Sequence, residues 1–270
     1  MEIPDPHLSL IVPVYNESAR LSASLHEMGA YLARMPFTSE IVIADDGSTD
    51  DTLAVAQHVA GSLSVPVRLL HYELNRGKGG ALKLGFAAAR GERLVFTDCD
   101  LSTPLDEMEK FLERLDAGSD FVIGSRKREG AEITKHQPRL RENLGKVFTW
   151  IVRMLIADVT DMTCGFKAYR REVGKDLFSR MRVYDWSFDA ELLLIARHSG
   201  YRHEEVPVRW EDHEGTKVNL VRDIVMSLIG IVRIRINHAL GRYDSTTDLG
   251  VFTEKRYEGA GYESSSSATT

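Results

Sequence analysis

Asp98 and Asp100 stand one residue apart directly after a short apolar run, Arg93 to Thr97. If that run is a strand beginning to turn, the two carboxylates converge on one place. Their oxygens suit a hard divalent cation, Mg2+ or Mn2+, that also bridges phosphates. Two carboxylates alone make a weak site, so water and a diphosphate must complete the ligand set, and metal and nucleotide binding become interdependent. Such a metal would stabilise a phosphate leaving group as a Lewis acid. Asn75-Arg-Gly-Lys-Gly-Gly80 has the glycines to bring backbone close to an anion and Lys78 to neutralise it. It has neither the G-x-x-x-x-G-K-[ST] nor the G-x-G-x-x-G spacing. Asp45 and Asp46 follow another apolar run and can accept hydrogen bonds from a base N–H or a ribose hydroxyl.

Positioning these groups requires strands. Apolar, β-branched runs recur at Leu8 to Val14, Glu40 to Ala44, Val65 to His71, Arg93 to Thr97 and Phe121 to Gly124, with helical spacing between them. This predicts a doubly wound α/β half with a mainly parallel central sheet, whose ligands bind at the carboxyl ends of the strands. Five polar segments then meet at one edge: Pro13-Val-Tyr-Asn-Glu17, Asp45 to Asp50, Asn75 to Gly80, Asp98-Cys-Asp100 and Gly124-Ser-Arg126. Any one of them is also ordinary turn and helix-cap chemistry. Turns alone do not explain five in succession.

Beyond Arg126 the pattern changes. Arg126 to Arg153 carries eight basic and three acidic residues, and an amphipathic helix is expected from Asn143 to Ala157. A second one, Val218 to Leu240, places Val221, Ile224, Val225, Leu228, Ile231, Val232 and Arg235 along or beside one stripe. Either both helices pack on the sheet, or their apolar faces with basic flanks rest on an anionic bilayer. The expected layout is one domain over 1–242 in two halves, 8–125 and 126–242. The tail, 243–270, is expected to be largely disordered, since Glu263 to Thr270 has nothing to bury.

At 270 residues, 43% hydrophobic and 27% charged, the composition is that of a globular chain able to bury its own core. A net charge of −6 argues against a nucleic-acid coat. Two cysteines, Cys99 and Cys164, imply neither a disulfide framework nor a zinc site and suit a reducing compartment. Met1 to His7 is acidic and proline-broken, so no signal peptide is expected, and Ile224 to Ile236 is too short to span a bilayer. The expectation is a cytoplasmic protein, peripheral on a membrane face. No histidine pair or nucleophile elbow supports a hydrolase.

Taken together, Ile11-Val-Pro-Val-Tyr-Asn-Glu17, Asp45-Asp-Gly-Ser-Thr-Asp50, Asn75 to Gly80, Asp98-Cys-Asp100 and Gly124-Ser-Arg126 resemble glycosyltransferase family 2, the inverting GT-A enzymes that use nucleotide-sugar donors. Asp161-Met-Thr-Cys-Gly-Phe-Lys167 and Trp186-Ser-Phe-Asp-Ala-Glu191 resemble its dolichyl-phosphate β-glucosyltransferase branch. The resemblance covers about residues 8 to 238. It implies that Pro13, Tyr15, Glu17 and Asp45 or Asp46 hold the nucleoside, with Lys78 near the diphosphate. Asp98 and Asp100 would hold the metal, with Cys99 between them in the nucleotide-sugar set where Ala is more usual. Arg126, with Arg139 or Arg141, would receive the acceptor phosphate. Asp161-Met-Thr-Cys164 departs from the branch's Asp-Thr-Gln-Cys.

An alcohol acceptor needs a positioned base, whereas a monophosphate is already largely a dianion at neutral pH. The cation density from Arg126 to Lys146 fits a phosphate, because guanidinium forks match its geometry. The reading is transfer of glucose from UDP-glucose to a dolichyl or polyprenyl phosphate, with Asp100, Arg126, Asp161 and Asp189 as catalytic candidates. Asp161 and Asp189 are bases or orienters, or else cap and pair inside the second half. Trp186 and Phe188 line a sugar or lipid groove or fill the core. The alternatives are mannose from GDP-mannose, a soluble sugar or glycan hydroxyl as acceptor, and a binding protein without turnover.

Overall fold

The computed structural model describes residues 5–135, 150, 153–156, 158–212, 220–258 and 263–266. Nine strands form one sheet in the order β11-β10-β3-β2-β1-β4-β7-β5-β8. The first five are β1 (Leu8–Val14), β2 (Ser39–Asp45), β3 (Val67–His71), β4 (Arg93–Thr97) and β5 (Phe121–Ser125), at the places the apolar runs predict. Their residues are buried almost throughout, as strands covered on both faces must be. β1, β2, β3 and β4 pair in parallel. β7 (Phe166–Arg170) is antiparallel to both β4 and β5, so β5 points the same way as β4. β8 (His203–Pro207) lies parallel to β5.

Helices α1 (Ser18–Leu32), α2 (Thr52–Ala60) and α4 (Met108–Asp116) cover one face through Leu21, Leu25, Val59, Met108 and Phe111. On the other face lie α3 (Lys78–Ala88), α5 (Arg171–Arg180), α6 (Phe188–His198) and α7 (Leu220–Ala239), through Leu82, Phe86, Phe178, Leu193 and Ile234. Phe86 stacks on Phe178 at 3.8 Å between ring centroids and meets Tyr169 edge-on at 5.2 Å, which locks α3, α5 and β7 together. The strand order changes direction at β1 and β4, the switch point at which such sheets open a ligand crevice. β6 (Glu132–Lys135) and β9 (Arg209–Glu211) form a separate two-stranded sheet.

The expected tail is a correction. After a turn at Arg242–Asp244, β10 (Thr253–Tyr257) adds antiparallel to β3, and β11 (Glu263–Ser266) adds to β10. The sequence Thr-Glu-Lys-Arg-Tyr is too polar to read as a strand alone. Pairing with the open edge of β3 and an ion pair from Glu254 to Arg68 at 2.6 Å hold it. The sheet therefore runs well past residue 242.

The helix expected at Asn143 to Ala157 lies largely outside the described residues, as do Arg139, Arg141 and Lys146. Trp150 and Arg153 to Leu155 are helical, with Trp150, Met154 and Leu155 exposed. The stripe drawn on the last helix divides. Ile231 and Ile234 are buried, whereas Met226, Leu228, Ile229, Val232, Ile236 and Leu240 face outward. Arg235 Nη1 donates to Leu155 O at 3.4 Å, so the two apolar surfaces adjoin. Among the described residues no helix is long and apolar enough to cross a membrane.

Candidate active site

The carboxyl ends of β1 and β2 are bound to each other by the Asp45 to Asp50 segment. Asn16, in the left-handed region at φ 55°, accepts the Thr49 N–H at 2.8 Å through Oδ1. Ser48 Oγ accepts the Asn16 N–H at 2.9 Å, and Thr52 Oγ1 accepts the Glu17 N–H at 2.7 Å. Pro13 and Tyr15 stand at the rim of this construction, Tyr15 exposed. Glu17 pairs with Arg20 at 2.8 Å.

Asp45 and Asp46 take different directions. Asp45 accepts from Ser48 and from His71 Nδ1 at 2.6 Å. Asp46 turns toward the next loop and accepts the Arg76 and Gly77 N–H groups at 2.8 Å each and Asn75 Nδ2 at 2.9 Å. Burial pushes its carboxyl up to about 6 against those donors. Both of its oxygens hold the Asn75 to Gly77 loop in shape.

That loop delivers Lys78 as the first residue of α3. Gly77 has φ 94°, and a β-carbon there would meet Tyr184 O at 2.5 Å. Lys78 Nζ lies 2.5 Å from Asp98 Oδ1. Asp98 donates its N–H to Gly165 O, and Asp100 Oδ1 accepts the Ser102 N–H at 3.0 Å. Leu101, between Asp100 and Ser102, is held at φ 52°, a costly conformation for a leucine that bends the chain at the carboxylates. The Cys99 thiol is buried in the core on the α4 side and pushed up to about 12 by that burial.

Residues of the second half arrive beside this edge on β7 and the segment before it. Lys167 Nζ binds Asp189 Oδ1 at 2.6 Å and Cys164 O at 3.0 Å. Burial raises Asp189 above the ordinary carboxylate value, with Lys167 opposing. Lys78 and Lys167 both lie against the Phe96 ring, at 5.9 and 5.1 Å. Two lysines and two aspartates thus stand around one aromatic floor. Phe188 is core, whereas Trp186 is 49% exposed.

Arg126 forks onto Asp161, with Nε to Oδ2 at 2.7 Å and Nη2 to Oδ1 at 2.8 Å, and its own N–H reaches Oδ2 at 3.0 Å. Burial alone would raise Asp161, but the guanidinium holds it down at about 2. A carboxylate so occupied is no free base; it aims Arg126. Glu205 Oε1 in turn accepts the Thr160 and Asp161 N–H groups at 2.7 and 3.0 Å.

Asp98, Asp100 and Lys78 are therefore brought together with Asp189, and Arg126 with Asp161. Sequence reasoning missed Lys167, Gly165, Thr163, Glu205 and His71. The Asp161 to Lys167 block was the only signal for the first three, and it carried no spacing rule of its own. Among the described residues no group of three metal-ligating side chains occurs. Asp98 and Asp100 supply oxygen donors only, a donor set that would suit a hard divalent ion, and Asp98 faces the Lys78 ammonium.

A mostly parallel sheet opened at β1 and β4, with an acidic pair and a lysine at the opening, is the GT-A arrangement of nucleotide-sugar transferases. The chain belongs to glycosyl transferase family 2, whose model matches residues 9–178. It is 35% identical over 247 residues to a dolichyl-phosphate beta-glucosyltransferase of Trichomonas vaginalis, covering 87% of this chain and 72% of that one. It is 34% identical to the human dolichyl-phosphate beta-glucosyltransferase, covering 80% and 70%. It spans only 35% of the glycosyltransferase AglD of Haloferax volcanii, at 34% identity and 81% of this chain. The fold is shared with glucosyl-3-phosphoglycerate synthase of Mycobacterium tuberculosis, crystallised with Mn2+ and UDP-glucose (TM-score 0.63, 21% identity, 91% of this chain and 82% of that one). It is also shared with mannosyl-3-phosphoglycerate synthase of Rubrobacter xylanophilus (TM-score 0.65, 17% identity, 90% and 77%).

Proposed function

We propose that this chain moves glucose from UDP-glucose to a dolichyl or polyprenyl phosphate, with inversion at the sugar carbon, while resting on the cytoplasmic face of a membrane. The observation that carries the reading is the joining of the Lys78–Asp98 centre to the exposed apolar helix by one short segment. Tyr184 O accepts the Gly79 N–H at 3.0 Å, and three residues on, a β-carbon at Gly230 of α7 would stand 2.0 Å from Ser187 Oγ. A lipid acceptor needs that combination, and the similarity to two glucosyltransferases acting on dolichyl phosphate supports it.

In this reading Pro13, Tyr15 and Glu17 border the nucleoside, and Lys78 neutralises the diphosphate. Asp98 and Asp100 would hold Mg2+ or Mn2+, which when bound supplies Lewis-acid stabilisation of the departing nucleoside diphosphate. Asp161 holds the Nε–Nη2 edge of Arg126, and the guanidinium so fixed is the group that would receive the acceptor phosphate. A phosphate dianion attacks without giving up a proton, so Asp189, tied to Lys167, orients a sugar hydroxyl and removes no proton. On the apolar face, Ile229, Val232 and Ile236 enter the lipid while Arg233 and Arg235 meet anionic headgroups.

The test is a donor-by-acceptor assay: UDP-glucose, GDP-mannose and UDP-N-acetylglucosamine, each with Mg2+ or Mn2+ and a short polyprenyl phosphate, scored by butanol-extractable sugar. A glucolipid signal removed by EDTA is the expected result. Full activity with GDP-mannose and none with UDP-glucose overturns the donor. Transfer only to soluble hydroxyl acceptors overturns the lipid.

A further inference from the structure

Between the turn at Arg242–Asp244 and β10 the chain reaches the Asn75 to Gly77 loop, and it is pinned on the way. Thr247 donates its N–H to Ser179 O, in the last turn of α5, at 2.9 Å, and its hydroxyl donates to Met181 O at 2.9 Å. Lys83 on α3 is 2% exposed, and its ammonium donates to Ser179 O and Met181 O at 3.2 Å each and to the Thr247 hydroxyl. A buried ammonium is costly unless oxygens surround it. This one plays no part in the transfer proposed above; it ties the crossing segment to the helix that begins at Lys78.

Two residues on, Leu249 O accepts the Tyr72 hydroxyl at 2.8 Å and Arg76 Nη1 at 2.7 Å. The Arg76 guanidinium lies over the Tyr72 ring, its carbon 4.5 Å from the centroid. Arg76 is thereby held at both ends, its N–H by Asp46 Oδ1 at 2.8 Å and its guanidinium by Leu249. Gly250 closes the contact. Its φ is 77°, and a β-carbon there would collide with the Arg76 guanidinium. The guanidinium is the far end of a flexible side chain, so a methyl group at 250 is accommodated by displacing it.

Resting on the donor reading above, we propose that Leu249 and Gly250 are positioning residues for binding of the donor diphosphate: they hold Arg76, and through it the loop that places Lys78. A loop fixed before its ligand arrives spares binding the cost of ordering it. The C-terminal segment that extends the sheet thus also braces the site, from the side opposite to Asp46.

Titration calorimetry of UDP with Mn2+ on the full chain tests this. Gly250→Ala is expected to weaken UDP about tenfold, and Arg76→Ala at least as much, the value of one charge-assisted hydrogen bond. Gly200→Ala is the control for backbone strain, since Gly200 has φ 76° and nothing within 4 Å of a β-carbon. It is expected to bind UDP within about twofold of wild type. In the Arg76→Ala background, Gly250→Ala is expected to cost no more than about twofold further, because the group it displaces is gone. Wild-type affinity in Gly250→Ala overturns the inference, as does an equal loss in Gly200→Ala or a full tenfold loss from Gly250→Ala in both backgrounds. Arg76 is exposed, and its variant does not depend on Gly250→Ala folding; undiminished UDP affinity in Arg76→Ala alone overturns the inference as well. Absence of any UDP binding by wild type overturns the donor reading itself and this inference with it.

Discussion

Gly165 lies so close to Asp98 that a β-carbon on it would stand 2.0 Å from Oδ2, and its carbonyl accepts the Asp98 N–H at 3.2 Å. A glycine directly before β7, the strand that enters between β4 and β5, therefore sets where the carboxylate that follows β4 rests. Gly165→Ala must push Asp98 away from Lys78. Displacing a reacting group by about 1 Å costs about a hundredfold in turnover. We expect Gly165→Ala to lose that much glucosyl transfer and to need more Mn2+ for half-maximal rate. A Mn2+ titration of initial rates measures this, and an unchanged midpoint would show that Asp98 tolerates the methyl group.

Asp161 and Arg126 form a pair whose acidic partner is fully buried. Removing the charge from one member of such a pair destabilises by about 3 kcal/mol, because the other is left uncompensated. Asp161→Asn should therefore unfold at lower denaturant and lose acceptor affinity as Arg126 swings. The folded value of about 2 is below the ordinary aspartate value, so this contribution is present above about pH 4 and disappears as pH falls toward 2. Urea melts between pH 2 and pH 6 should show a slope in wild type that Asp161→Asn lacks.

Asp46 has the opposite sign. Its carboxyl sits at about 6, chiefly from burial, so the folded protein binds the extra proton and stability declines as pH rises from about 4 through 6. Below pH 6 the protonated oxygen can no longer accept as well from the Arg76 and Gly77 N–H groups, and the loop carrying Lys78 loosens. The KM for UDP-glucose should rise as pH falls through 6 while kcat changes less. Asp46→Asn should show the raised KM at pH 7.5 and a flat profile; a variant with the wild-type profile would assign that limb to another group.

What the sequence made legible follows from how local each signal is. β1 to β5 announced themselves as β-branched runs, and Asp98-x-Asp100 as a pair needs only its own strand end. Lys167 and Gly165 were not legible, because their part depends on an antiparallel strand threaded between two parallel ones. His71 depends on register between β2 and β3, and β10 on an edge that only the assembled sheet presents. Each of these is a long-range pairing with no periodicity of its own.

Ile229, Val232 and Ile236 recur at spacings of three and four along α7 and all face outward, while Ile231 and Ile234 hold the helix to the core. On the proposed reading this exposed apolar stripe, flanked by Arg233 and Arg235, is expected to bind a bilayer through buried area plus attraction to anionic headgroups. Ile229→Glu with Val232→Glu leaves the core contacts in place and places two carboxylates where headgroup phosphates would be. The double variant should fail to float with vesicles containing anionic lipid at low salt, whereas wild type floats and is partly released as ionic strength rises. Its affinity for UDP should be unchanged, because both side chains face outward, away from the core contacts of α7. Transfer to a water-soluble short-chain acceptor should persist where transfer to vesicle-embedded acceptor falls at least tenfold. A wild-type protein that stays at the bottom of the gradient at low salt would remove the membrane from the reading and with it the long lipid acceptor.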